Sequence, residues 1–355
     1  MQETAQPAGV PHDVIDFARL AAWMDEHDLG HGPIGRVEAL AGGTQNVMLG
    51  FERAGRGYVL RRGPRHLRPR SNDVMRREAR VLAALAGSEV PHPRFVAGCF
   101  DESVMDGAVF YLMEPVHGFN ATTGLPGRFA TDASWRHAMG LEAAAALATL
   151  GRVDHQAVGL ADLGKPDGFL ERQVPRWMGE LEGYAKLENY PGPEIPDLER
   201  IAAWLERNRP ARFTPGILHG DYHLANVMFA YDAPRLVAIV DWEMCTIGDP
   251  LLDLGWFVAS FPSAKAKGPT PVAGLAGVEG LPSPAELVAR YAEGSSRDLS
   301  CLVWYEVLAC FKLGIVLEGT HARACAGKAP RETGDLLHAI TLGLFEQARS
   351  LIAGG

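Results

Sequence analysis

Cysteine is scarce and unpaired in this sequence: five residues, at positions 99, 245, 301, 310 and 325, with no C-x-x-C among them. An odd number without metal-type spacing argues against a disulfide framework or a structural zinc site, and for a reducing, cytoplasmic compartment. The opening MQETAQPAGVPHD lacks a basic segment followed by an apolar one, so no signal peptide is expected. Long apolar runs are missing too. The longest, CLVWYEVLACFKLGIVL at 301–317, is interrupted by Glu306 and Lys312 and reads as a buried helix, so no membrane partner is expected. Positive charge is in deficit, 34 Lys and Arg against 43 Asp and Glu for a net charge of −9, which argues against nucleic-acid binding.

What remains is a globular composition, 47% hydrophobic and 22% charged, in a chain of 355 residues that is long enough for two lobes. One stretch departs from the acidic background. Residues 61–80 hold eight arginines, which form either a solvated basic face or a surface for an anionic ligand such as a nucleotide or a CoA phosphate.

Periodicity divides the chain. Apolar residues at helical spacing over 16–29 precede strands expected at 35–40, 47–53 and 57–62, joined by glycine-rich turns. A helix over 71–87 and two further strands complete residues 1–117, expected to be a small antiparallel lobe with one key helix. Residues 118–355 read as a larger, mainly helical lobe, with helices near 134–151, 167–188, 196–208, 250–260, 285–295, 300–323 and 332–352. The irregular stretch 262–284 is either a lid or a loop. The fold class expected is α+β and bilobal.

The densest chemistry lies in HGDYHLAN (219–226) and IVDWE (239–243). Val227–Ala230 and Arg235–Val240 read as a hairpin, which brings Asn226 and Asp241 to one end, near the loop holding Asp221. An amide and a carboxylate offer oxygen ligands suited to Mg²⁺, which completes its shell with waters and nucleotide phosphates. A nearby carboxylate outside that shell, Asp221, can orient an alcohol and accept its proton, the division of labour in protein-kinase catalytic loops. His219 would brace the loop. His219 and His223 are spaced as zinc ligands on a helix can be, but Gly220 and a loop-to-strand pattern argue against one helical face. Glu243 has a weaker claim, to a second metal or its waters.

The rest of an ATP site can be sought upstream. AGGTQN (41–46) joins two expected strands, and Gly42, Gly43 and Thr44 are placed to lay backbone N–H groups over phosphates, although a plain hairpin turn needs the same residues. In YVLRR, Val59 and Arg61 share a strand face, and Arg61 stands where kinases place a lysine, with Glu78 on the next helix as its partner. Glu114 C=O and Val116 N–H can meet an adenine edge, with Pro115 between them having no N–H to offer.

These motifs resemble the aminoglycoside phosphotransferase and choline kinase superfamily, whose fold is protein-kinase-like: LHGDYHLANVMF, IVDWEMCTIGDPLLDLGW, YVLRR with Glu78, and YLMEPVHG, in family order across most of the chain. The resemblance implies that Asp253 is a structural aspartate that steadies the active-site loops. A narrower likeness, in VGLADLGKPDGFLERQVPRW and FKLGIVLEGTHAR, is to the kinase-like domain fused to some acyl-CoA dehydrogenases and its free-standing bacterial relatives. It implies phosphorylation of a hydroxyacyl-CoA. Two positions depart from the pattern: Arg61 replaces a lysine, and Gly151 stands where close relatives commonly have histidine.

The expected activity is ATP- and Mg²⁺-dependent phosphorylation of a small-molecule alcohol. For the acceptor pocket the candidates are Arg172, Arg176, Trp177, Glu318, His321 and Arg323, whose cations favour an anionic acceptor over a polycationic aminoglycoside or an amino-alcohol. A nucleotide-binding pseudokinase is the alternative of another class; the presence of Asp221, Asn226 and Asp241 together argues against it.

Overall fold

The computed structural model describes residues 14–40, 46–262 and 273–354. Gly42, Gly43 and Thr44 lie outside the described residues, as does 263–272, part of the 262–284 stretch considered above as a lid. The chain forms two compact units, residues 1–117 with 238–243, and residues 118–237 with 244–355.

In the first unit, helix α1 (Phe17–Glu26) is capped by the Asp16 carboxylate, which accepts from the N–H groups of Ala18 and Arg19. Strands β1 (Gly35–Ala39), β2 (Val47–Arg53) and β3 (Arg56–Arg62) lead into helix α2 (Ser71–Ala84), then strands β4 (Phe95–Cys99) and β5 (Phe110–Met113). They make one antiparallel sheet in the order β1-β2-β3-β5-β4. The β2–β3 hairpin turns on two residues, Ala54 (φ 50°) and Gly55 (φ 76°), the left-handed pair that a tight hairpin requires. Alternation on β3 sends Tyr58 and Leu60 into a core with Trp23 and Met24 of α1 and with Phe110 and Leu112. Val59 and Arg61 therefore take the opposite face. That parity puts Arg61 where α2 can meet it. The segment 238–243 joins this unit through Ile239 N–H, which donates to Pro91 O at 2.8 Å.

The second unit is mainly helical. It holds α3 (Arg128–Thr131), α4 (Ala133–Gly151), α5 (Gln173–Tyr184) and α6 (Leu198–Arg207), followed by short strands β6 (Gly216–Leu218), β7 (Val227–Phe229), β8 (Leu236–Ile239) and β9 (Thr246–Gly248). The last two residues of β8 count with the first unit. β6 pairs antiparallel with β9, and β7 with β8. Then come α7 (Leu251–Ser260), α8 (Pro284–Glu293), α9 (Leu302–Cys325) and α10 (Arg331–Gly354). Helix α9 is apolar nearly all round because it packs against both α7 and α10. Gly255 lets α7 approach: a Cβ there would meet the backbone of Tyr305 at 2.6 Å.

Candidate functional site

Two groups of polar side chains stand out, one in each unit. In the first, Arg61 on β3 is 6% exposed and Glu78 on α2 is 1% exposed, so neither can be left unpaired. Arg61 Nε donates to Glu78 Oε2 at 3.0 Å, and its NH2 donates to Asp241 Oδ1 at 2.8 Å. The NH2 group also lies 3.0 Å from Glu78 Oε1, but without hydrogen-bond geometry. Tyr111 OH reaches Glu78 Oε2 at 3.5 Å. Burial pushes the Glu78 carboxyl up, to about 7, against the pull of the Arg61 guanidinium. Burial also disfavours the Arg61 charge, but Glu78, Tyr111 and Asp241 more than offset it and the cation is held firmly. Asp241 itself adopts a left-handed backbone (φ 67°), and its side chain stays 31% exposed, so one carboxylate oxygen is spent on Arg61 and the other is not.

The remainder of the arginine-rich stretch splits up. Arg62 is buried and donates to Val14 O, Arg76 pairs with Glu102 at 2.9 Å, and Arg65, Arg68 and Arg70 are exposed. Glu114 and Val116 follow β5 and are half-buried; the Glu114 carboxylate takes Arg56 at 2.8 Å, and its N–H donates to Arg94 O. Glu243 accepts from Asn46 Nδ2 at 3.4 Å.

In the second unit the loop after β6 is pinned peptide by peptide. Gly220 is left-handed (φ 87°), and a Cβ there would meet Met244 O at 2.5 Å, so only glycine fits. Asp253 on α7 accepts from His219 N–H at 2.6 Å and Gly220 N–H at 2.9 Å. From the other side, Lys312 on α9 donates to Gly220 O at 3.0 Å. Asn226 closes the loop: its Nδ2 donates to Asp221 O at 3.0 Å and to Asp221 Oδ2 at 3.1 Å. With its amide hydrogens spent there, the Asn226 carbonyl oxygen takes no part in these bonds.

His219 Nδ1 accepts from Asp221 N–H at 3.3 Å, and His223 Nε2 lies 3.4 Å from Asp221 Oδ1. The two histidines flank Asp221 in a loop and a short 3-10 turn rather than sharing a helix face, which removes the helical zinc reading. Burial would raise the Asp221 carboxyl, but His223 first, then His219 and Lys312, bring it down to about 2. Asp221 is therefore anionic at neutral pH. Burial pushes Asp253 up, to about 7, opposed by its two N–H donors and by Lys312.

Lys312 was named in the sequence only as an interruption of an apolar run, yet it belongs to this group. Its Nζ lies 4.9 Å from the Trp256 ring and 5.6 Å from that of Trp177. A cavity of about 70 Å³ opens beside it, lined among others by Arg176, Trp177, Met244, Trp256, Tyr305 and Lys312.

Of the six acceptor-pocket candidates, then, Arg176 and Trp177 line this cavity, and the other four are not among its lining residues. The Arg172 guanidinium turns back onto Lys165 O and Asp167 O. Arg323 donates to Thr320. Glu318 and His321 lie six and nine residues beyond Lys312, about 9 and 14 Å along α9, where they meet Tyr190 and His338 instead.

Comparison with known proteins places this arrangement. Residues 36–297 match the model of the phosphotransferase enzyme family. The chain is 28% identical to human acyl-CoA dehydrogenase family member 11 over 96% of its own length, and spans 44% of that longer protein. A solved structure from Ralstonia eutropha, assigned as an aminoglycoside phosphotransferase, is 30% identical and superposes with a TM-score of 0.78, covering 94% of this chain and 98% of that one. The GDP complex of aminoglycoside 2'-phosphotransferase-IIIa, 16% identical, shares the protein-kinase-like α+β fold at a TM-score of 0.61 over 95% of this chain and 99% of that one.

Proposed function

Because the chain belongs to the phosphotransferase enzyme family, we propose that it moves the γ-phosphoryl group of ATP to a hydroxyl of a small-molecule acceptor, and that this acceptor is a hydroxyacyl-CoA. The observation that carries the reading is the loop at 219–226, where one peptide is held from both sides and an anionic Asp221 is presented at its end. Asp221 orients the acceptor hydroxyl and takes its proton. Asn226 and Asp241 are the ligands for Mg²⁺. Each keeps an oxygen that the hydrogen bonds above do not consume, and an amide and a carboxylate form the hard, oxygen-only donor set that this ion prefers. When bound, Mg·ATP supplies the transferable group and the charge neutralisation around it.

Residues 1–117 serve in this reading as the nucleotide-binding lobe and residues 118–355 as the catalytic and acceptor-binding lobe. Arg61, tied to Glu78, contributes a fixed positive charge toward phosphates, Glu114 and Val116 meet the base, and Gly42, Gly43 and Thr44 cover the phosphates. As Arg61 is a planar fork already engaged by two carboxylates, it acts by orienting Asp241 as much as by touching the nucleotide.

The acceptor reading rests on charge and on kinship. Arg176 and Lys312 put two cations at the cavity beside Gly220, which suits an anionic acceptor. The longer relatives are named as acyl-CoA dehydrogenase family members, a context in which activating a hydroxyacyl-CoA hydroxyl makes chemical sense. An aminoglycoside or amino-alcohol is the second reading for the acceptor, favoured by the Ralstonia structure's assignment. GTP deserves a place beside ATP in assays, since one fold relative holds GDP.

Asp221→Asn tests the mechanism. Turnover should fall by about 10²–10⁴-fold, the range of a lost general base, with nucleotide affinity unchanged. Wild-type rates in that variant would remove Asp221 from its role.

A further inference from the structure

Glu318 and His321 stand three residues apart on α9, so they share a helix face, and His338 meets them from α10. A Glu-x-x-His pair on one helix with a further donor from the facing helix is how helical bundles build metal centres. Glu318 is fully buried, His321 is 8% exposed and His338 is half-buried. One ligand atom from each lies within 4.8 Å of the other two. Glu318 Oε1 accepts from Tyr190 OH at 2.8 Å, while Oε2 faces His338 Nδ1 at 2.7 Å. The two imidazole rings stack with centroids 4.5 Å apart.

A second observation points to a ligand. His321 Nδ1 is buried and has no hydrogen-bond partner; Asp335 Oδ1 lies 3.5 Å away, outside hydrogen-bond geometry. A buried, unsatisfied ring nitrogen is costly, and a metal ion is one partner that satisfies it.

We propose that Glu318, His321 and His338 are the ligands of a divalent transition-metal ion, and that Zn²⁺ fits this donor set. Two imidazoles and one carboxylate are borderline ligands that Zn²⁺ accepts at about 2.0–2.2 Å, which sets ligand atoms about 3.3–3.5 Å apart in a tetrahedron. Metal entry therefore opens the Glu318–His338 contact slightly and draws the wider pairs inward, with the ligating nitrogen of His338 free of hydrogen. The fourth position is left to water or to a neighbour. Asp335, whose carboxylate lies 3.5 Å from His321 Nδ1, is one such neighbour. Tyr190, donating to the outer oxygen of Glu318, fixes the carboxylate in the manner of an outer-shell partner. Such a centre would tie α9 to α10. It differs in chemistry from the oxygen-only Mg²⁺ pair of Asn226 and Asp241 and does not depend on the phosphotransferase reading.

The test is metal titration of the full chain after chelator treatment. Co²⁺ should produce the visible bands of a tetrahedral nitrogen–oxygen site at a single equivalent, and Zn²⁺ should bleach them. Zn²⁺ affinity should fall by at least about 100-fold in His321→Ala and in the milder His338→Gln, and stay unchanged in Asp241→Ala. Thermal melts of the metal-free variants show whether each is folded before it is scored. Absence of the Co²⁺ bands from the wild-type chain, equal Zn²⁺ affinity in the histidine variants, or loss of binding in Asp241→Ala instead would each overturn the proposal.

Discussion

Asp253 shows how much a single carboxylate does at this site. It is buried, and both its oxygens accept backbone N–H groups, those of His219 and Gly220. Asparagine has nearly the same shape but only one acceptor oxygen, so Asp253→Asn leaves one of those N–H groups facing an amide NH₂. The expected loss is about 1–3 kcal/mol of stability, measured by denaturant unfolding, together with reduced turnover. An Asn variant as stable and active as the wild type would mean that the loop does not depend on this pair. The same reasoning explains what could be read at this scale from the sequence. His219, Asp221, Asn226, Asp241 and Asp253 sit within 35 residues of one another, and the types and spacings are set by local turn and hairpin geometry. Tyr111, Trp256 and His338 were missed because an aromatic or a lone histidine in an ordinary helix or strand carries no local signal. His223, considered in the sequence only for zinc spacing, stands beside Asp221.

At the scale of elements, α9 is the piece that carries most. It is long and nearly all apolar, and it delivers a buried lysine to the loop after β6 from 92 positions away in sequence. Its buried state was legible as a run of apolar residues broken by Glu306 and Lys312. Which way Lys312 pointed was not, because helix phase fixes direction only once the neighbours, here α7 and α10, are known. That also accounts for the way the acceptor-pocket candidates divide in the structure. Arg176 and Trp177 line the cavity, whereas Glu318 and His321 belong to a different stretch of the same helix. Lys312→Met keeps the aliphatic stem and removes the charge, leaving the Gly220 carbonyl unpaired and Asp221 with one cation fewer. The kcat should fall by more than about 10-fold, for a lost charged hydrogen bond worth about 1.5–3 kcal/mol. KM for the nucleotide should hold, since the change is to the acceptor side of the reaction. A raised KM with wild-type kcat would assign Lys312 to nucleotide binding instead.

For the whole molecule, strand and helix order was legible over most of the chain, because the long helices and the strands of the first sheet carry clear periodicity, whereas the three-residue strands β6 and β9 are too short to show one. The family likeness, carried by combined motifs rather than by any one, agreed with the phosphotransferase family match and the Ralstonia structure. The acceptor is a different matter. The cavity proposed to receive it is assembled from α5, α7, α9 and loop residues far apart in sequence, so side-chain charge narrows the class without naming the molecule. The decisive measurement is ADP release by the full chain from Mg·ATP, with and without hydroxyacyl-CoAs, an aminoglycoside and choline as separate acceptors. The account predicts stimulation by a hydroxyacyl-CoA, with a phosphorylated product and little response to the two cations. Nucleotide binding with no stimulation by any of them would contradict it and leave a pseudokinase in its place.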